Sequence, residues 1–226
     1  VLLIDEVDKS SNNQLFLSFL GMLRNKYLLR NEGEDHTFQS IVLAGVHDVK
    51  TMKLIFRPDA EQKYNSPWNI ATEFKIDMSF NPQEISTMLV DYANAQKVEM
   101  DISKISERIY HYTSGYPFLV SRICKEIDEV ILPEKNEKTW KLSDVDNAVK
   151  NIISERNTNF ESLVTNLENN TQLLDFTEDL VVGNNIYTYN VLNPTIQLGE
   201  LYGIFRNINI RVAFHNKICE EVITNY

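Results

Sequence analysis

Val1-Leu2-Leu3-Ile4, followed at once by Asp5-Glu6-Val7-Asp8, is the stretch that most limits what this chain can become. Four consecutive apolar residues suit a strand of a parallel sheet, where both faces are covered and no alternation is needed. Acids directly behind such a strand emerge at its C-terminal end, the edge where open α/β sheets hold their ligands. Asp5 there can hold Mg²⁺, directly or through water, because that small hard cation favours oxygen ligands. Glu6, one residue on, is placed to orient and deprotonate a water that attacks a terminal phosphate.

The next seventy or so residues supply what such a strand needs beside it. Ser10 or Ser11 caps a helix whose Leu15, Phe16, Phe19, Leu20, Leu23 and Tyr27 share one face at helical spacing. Arg24, Lys26 and Arg30 fall mostly on the other face and read as solvated charge, and Asn31-Glu32-Gly33 ends the helix. Ser40 to Gly45 is a second continuous apolar run, again suited to a parallel sheet. It leaves into Val46-His47-Asp48, where His47, or alternatively Asp48, is the polar candidate at the C-terminal end of the strand. Residues 49–71 carry no clear periodicity, and a loop of that length is usually functional or mobile. Arg57 within it is a candidate to neutralise a γ-phosphate, in cis or across a subunit interface. Phe74, Ile76 and Met78 alternate with Lys75 and Asp77, predicting a half-exposed edge strand.

From residue 81 onward helices dominate. Asn81, Pro82 and Glu84 form a helix start ahead of Ile85, Met88, Leu89 and Tyr92. A series of short helices then carries Ile102, Ile105, Ile109 and Tyr112, then Leu119, Val120, Ile123, Ile127 and Val130, then Val145, Val149 and Ile152. Ser114-Gly115 breaks the first of these, Pro117 opens the second, Pro133 stops it, and Ser143 is the expected cap of the third. Residues 154–226 read as helices followed by two strands, 204–206 and 210–214, and a final helix with Ile218, Val222 and Ile223.

Composition removes several function classes. A formal net charge of −10 argues against a generally nucleic-acid-binding surface, and residues 154–226 carry only Arg156, Arg206, Arg211 and Lys217 against nine acids. No apolar run approaches the roughly 18 residues a membrane span needs. Cys124 and Cys219 fall beside apolar helix positions and read as buried thiols, which fits a reducing, cytoplasmic setting. Four scattered histidines offer no zinc spacing.

The opening stretch resembles the Walker B motif, the metal-and-base half of a P-loop nucleotide triphosphatase. Asp-Glu-Val-Asp also resembles the second motif of DExD-box helicases, but the Ser-Ala-Thr tripeptide of those enzymes is missing. Leu3-Ile4-Asp5-Glu6-Val7-Asp8, Leu43-Ala44-Gly45-Val46, Ser66-Pro67-Trp68-Asn69-Ile70 and Gly115-Tyr116-Pro117-Phe118 together are similar to the bacterial AAA-like domain ATPases, which are STAND/AAA+-related P-loop proteins. The resemblance implies ATP and Mg²⁺ as ligands, with Asp5 toward the metal, Glu6 as base and His47 in the sensor 1 position. It also implies contact of Gly115 and Pro117 with the nucleotide, the proline packing near the adenine. Phe118 stands where many AAA+ proteins carry a sensor 2 arginine; Arg122, one turn along, is its substitute candidate.

No Gly-x-x-x-x-Gly-Lys-Ser/Thr run occurs, so this reading expects the chain to be the C-terminal part of a longer protein with its phosphate loop upstream. The expected fold class is α/β: a partial P-loop NTPase parallel sheet, then a helical lid, then a winged-helix-like α+β domain. The corresponding domains are 1–98, 99–153 and 154–226. The expected function is an ATP-binding and hydrolysing switch, inactive without the upstream segment. The alternatives are a nucleotide-independent interaction module, with a protein partner on 154–226, and a DNA-associated, nuclease-linked regulatory subunit. DNA binding through this chain alone, and membrane insertion, are not expected.

Overall fold

The computed structural model describes residues 1–7, 13–45, 72, 77–155, 158–183 and 185–226. The chain divides into two compact units, 1–75 and 76–226. Among the described residues nine helices accompany three two-stranded sheets, a mixed α/β composition in which helix dominates. No helix among them is long and apolar enough to cross a membrane.

In the first unit β1 (Leu2–Ile4) and β2 (Ile41–Leu43) run parallel on either side of α1 (Asn13–Glu32), with Leu2 opposite Ile41 and Ile4 opposite Leu43. Parallel pairing follows from the connection, because a helical crossover returns the chain to the same end of the sheet. Leu20 and Leu23 of α1 are fully buried against Leu2, Phe16, Phe19, Ile41 and Leu43. Leu15, expected on that face, is 67% exposed, and Tyr27 lies at its margin. The continuous apolar strands predict cover on both sheet faces, yet Leu3 and Val42, which point away from α1, are exposed.

The helix ends on Gly33 at φ +79°, with Glu34 N–H donating to Leu29 O and Gly33 N–H to Arg30 O, a glycine cap. The cations of α1 are less idle than the sequence suggests. Lys26 pairs with Asp35 at 2.8 Å, and the Arg30 guanidinium donates to the carbonyls of Phe38 and Gln39, tying down the connection into β2.

The second unit opens with α2 (Pro82–Gln96), whose start follows the sequence closely. The Asn81 side chain accepts from Glu84 N–H, and a Glu84 oxygen accepts from Asn81 N–H in return, the reciprocal box that satisfies two orphan donors. α2 packs on α3 (Ile102–Thr113), which also packs on α4 (Pro117–Glu126) and α5 (Leu142–Ser154), and Ile85, Leu89, Ile105, Ile109, Ile123 and Val149 share one buried core. The helix over 82–96 thus shares its core with the helices that follow it.

Two short strands, β3 (Glu99–Met100) and β4 (Thr139–Trp140), pair in parallel at the flank; their two-residue length left no alternation to read. Pro133 does not stop α4 cleanly. The chain continues as a π turn over Ile127–Ile131 and a 3₁₀ turn over Leu132–Glu134. The wider π turn delays the helical phase, so Val130 rotates out to 45% exposure instead of joining the core. Ser143 is not the cap of α5 either. Asp144 does that work, accepting from Lys141 N–H at 2.6 Å while pairing with Lys135 at the same distance.

The remainder comprises α6 (Thr158–Glu168), α7 (Thr171–Val182), α8 (Pro194–Leu201), an antiparallel hairpin of β5 (Phe205–Ile208) and β6 (Arg211–Phe214), and α9 (Lys217–Asn225). Leu167, Leu173, Ile196, Ile204 and Phe205 form a second buried cluster. α9 joins the two cores: Ile218 belongs to the first, Cys219 and Ile223 to the second. A segment the sequence left unassigned also pairs with β6. Tyr189 N–H donates to Ile210 O and Val212 N–H to Tyr187 O, around a bridge between Thr188 and Arg211.

Candidate functional site

The acids at the end of β1 sit on a local irregularity that the sequence does not announce. Ala44 N–H donates to Ile4 O at 2.8 Å, but the next rung is made by Val7 N–H to Ala44 O at 3.0 Å. A regular parallel ladder would use Glu6 there. Two residues, Asp5 and Glu6, therefore stand opposite Ala44, which is a β-bulge. Glu6 adopts φ +52°, a left-handed conformation that costs a non-glycine residue about 1–2 kcal/mol. Its N–H turns from the sheet to Asp5 Oδ1, at 2.8 Å. Val7 then plunges into the interior at 3% exposure and anchors the far side of the bulge.

The result is a pair of exposed carboxylate residues at the C-terminal edge of a parallel pair, beside Ala44-Gly45 as the chain leaves β2. Among the described residues no group of three or more His, Cys, Asp or Glu side chains could enclose a metal. One or two carboxylates are nonetheless what Mg²⁺ ordinarily takes from a protein when phosphates and waters complete its shell. Asp5 and Glu6 fit that mode. Of the other predicted residues in the first unit, His47, its alternative Asp48, and Arg57 lie outside the described residues. So do the Ser66–Ile70 run and most of the strand expected at 73–78.

Gly115 and Pro117 belong to the second unit, at the corner between α3 and α4. Ser114 and Gly115 are both left-handed, at φ +50° and +78°, and Gly115 N–H is held by Thr113 Oγ1 at 3.1 Å. Phe80 N–H donates to Gly115 O at 2.8 Å, and the two backbones approach so closely that a Cβ at 115 would lie 1.9 Å from Phe80 O. Glycine here has a complete structural reason. Pro117 occupies the first turn of α4, where its missing N–H costs nothing. Arg122 is committed elsewhere: it pairs with Glu155 at 2.5 Å and with Glu126 at 3.4 Å. Glu126 is only 2% exposed and also accepts from Asn151. Withdrawing Arg122 from that carboxylate would leave a buried charge short of its partner.

Beside this corner lies a feature no local motif signals, a cavity of about 270 Å³ within the second unit. Tyr116 and Phe118 flank it on one side; Phe160 and Asn166 of α6, Tyr202 after α8 and His215 after β6 complete it. Tyr116 meets His215 edge-on, at 5.9 Å between ring centroids, and Phe118 at 6.3 Å. Burial pushes the His215 imidazole below its ordinary range, Arg206 adds to that, and Asp77 pulls weakly the other way. The ring is therefore neutral at pH 7. Its contributors span a hundred residues of sequence, so only the fold brings them together. The two thiols are free, and burial raises each to about 12, too protonated to act as nucleophiles.

No protein-family model matches this chain, and no curated protein matches it.

Proposed function

We propose that this chain carries the metal-and-base half of an ATP-hydrolysing switch of the AAA/STAND type. The observation that carries the reading is the bulge at the end of β1. It sets two adjacent carboxylate residues on the ligand-bearing edge of a parallel β-α-β unit, at a conformational cost that sheet pairing alone does not require. Asp5 would hold Mg²⁺, which when bound supplies charge neutralisation at the phosphates. Glu6 would accept the proton of the attacking water, His47 and Arg57 would attend the γ-phosphate, and Gly115 and Pro117 would border the base.

The finer fold assignment belongs to the same proposal. Residues 1–98 correspond to part of a P-loop NTPase core and residues 99–153, with α3–α5, to a helical lid. Residues 154–226 correspond to a winged-helix-like domain, supported by the pairing of 187–189, β6 and β5 next to α7, α8 and α9. The β5–β6 tip exposes Ile208 and Ile210 and carries one exposed cation, Arg211, which favours a protein partner over DNA for that domain.

The test is steady-state ATP turnover beside nucleotide titration, with Glu6→Gln and Asp5→Asn made in the natural protein. Glu6→Gln should lose turnover and keep nucleotide affinity, whereas Asp5→Asn should weaken Mg·ATP binding itself. Unchanged turnover in Glu6→Gln removes the assignment.

A further inference from the structure

We propose that the outward face of the β5–β6 hairpin docks a short peptide segment in which acidic and aliphatic side chains interleave. Cross-strand pairing puts Arg206 opposite Ala213, and both Ile208 and Thr188 opposite Arg211, so these side chains share one face of the small sheet. The other face carries Phe205, Val212 and Phe214 into the second core. On the outward face an open groove of about 530 Å³ runs past Ile186, Ile208, Asn209, Arg211 and Ala213, with room for a few side chains. Its two isoleucines stand open to water, Ile186 at 71% exposure.

Charge names the occupant. Lys217 is spent on Glu220 at 3.1 Å, whereas Arg206 and Arg211 make no ion pair or side-chain hydrogen bond among the described residues. The Nε of Arg206 is buried without an acceptor, so that guanidinium keeps unmet donor capacity. No acidic side chain among the described residues lines the groove, and Asp179 is taken by the Asn185 amide at 2.9 Å and by the Tyr187 hydroxyl. In a chain of net charge −10, two unpaired arginines on such a face complement carboxylates. Two cations hold a nucleic-acid backbone poorly against the nine acids of residues 154–226, and phosphates would leave the isoleucines wet. Aliphatic side chains set between the acids cover them. The inference rests on the protein-facing reading of this domain and sharpens it; it uses nothing of the ATP assignment.

The experiment titrates the chain into a labelled, end-capped peptide of alternating Glu and Val, read by fluorescence anisotropy. Peptides of alternating Lys and Val and of alternating Glu and Ser are the controls, and duplex DNA is the competitor. The Glu–Val peptide should bind saturably below about 1 mM, and about threefold more weakly once salt shortens the screening length. Arg211→Gln should weaken it by about fivefold, and Ile186→Asp, which sets a like charge against the peptide, by at least as much. Both residues are exposed, so thermal midpoints should stay in place. If one variant unfolds the domain, the other and the salt dependence decide. No saturable binding, binding indifferent to salt and to the folded variants, or a Glu–Ser peptide bound as tightly would each overturn the proposal. Tighter binding of the Lys–Val peptide would overturn the acidic chemistry and keep a protein partner, whereas preference for DNA would overturn both. No nucleotide or metal is present, so failure here is distinguishable from failure of the Glu6 assignment.

Discussion

The two units of this chain divide their labour in opposite ways. Among the described residues of 1–75, two leucines of α1 are fully buried beneath a two-stranded sheet, Leu3 and Val42 face outward, and two acids stand exposed on a bulge. In 76–226 two contiguous cores hold nearly every helix, and the partly buried charges are spent on one another: Arg108 on Asp146, Lys135 on Asp144, Arg122 on Glu126. A residue buried and satisfied has packing to lose, while a residue exposed on a strained turn has mainly chemistry to lose. Substitutions in the two units should therefore fail in different assays.

The largest expected effect tests that division at Glu6. General-base assistance is worth roughly 10²–10⁴-fold in rate, and Glu6→Gln should forfeit about that much ATP turnover. Its urea midpoint should not move, because the side chain is exposed and the bulge is held by the backbone bonds of Ile4, Ala44 and Val7. A fall in stability with turnover intact would reverse the comparison and make the acid pair a structural device.

Gly115→Ala probes the other side. A left-handed alanine costs about 1–2 kcal/mol, and displacing the Phe80 backbone from a contact of 1.9 Å adds overpacking of about 1–3 kcal/mol. Chemical denaturation should show a loss near 3 kcal/mol. A variant of unchanged stability would show that the close approach to Phe80 does not demand glycine there.

Asp146 supplies a pH-dependent version of the same contrast. The Arg108 guanidinium, bonded to it at 2.8 and 3.0 Å, holds its carboxyl below the ordinary value; burial opposes that and the Tyr112 hydroxyl adds to it. The unfolded chain therefore takes up this proton first. The stabilisation is fully present above the unfolded value near pH 4 and drains away as pH falls through the folded one. Because the pair is partly solvated, Asp146→Asn should cost only about 1 kcal/mol at pH 7, and less at pH 3. Urea midpoints at the two pH values check it; an equal loss at both would mean the charge is irrelevant.

What could be read from the sequence was what is local. The Asn81–Glu84 box, the break at Ser114-Gly115 and the run of Ile105, Ile109, Ile123 and Val149 rest on neighbours within a few residues, where spacing carries the information. The bulge at Glu6 was hidden because it depends on which rung Ala44 makes, a fact about a strand forty residues away. Val130 was misplaced because a π turn changes the helical phase without a sequence signal, and Ser143 because Asp144, bound to both Lys135 and Lys141, makes the better cap. Of the candidate site, Asp5 and Glu6 announced themselves by following an apolar strand. The cavity could not, since Tyr116, Phe160, Tyr202 and His215 share no spacing.

The smallest effect expected is a gain, at the hairpin tip. Asn209 and Ile210 form the two-residue turn between Ile208 and Arg211, with φ of +51° and +64°. Such turns need positive φ at both positions, which Asn tolerates and Gly prefers, while a β-branched residue is strained there. The backbone of Ile210 is nonetheless pinned from both sides: its N–H donates to Asn207 Oδ1 and its carbonyl accepts from Tyr189 N–H, each at 2.9 Å. Its side chain is 68% exposed and contributes little burial in exchange. Ile210→Gly should relieve about 1–2 kcal/mol of left-handed strain, against about 0.5–1 kcal/mol for the added freedom of glycine in the unfolded chain. A net gain of about 0.5 kcal/mol raises Tm by roughly 1–2 °C for a unit of this size. Calorimetry of the two proteins resolves that difference. A lower Tm would show that Ile210 is packed rather than strained, and the exposed tip could no longer stand as a surface held ready for a protein partner.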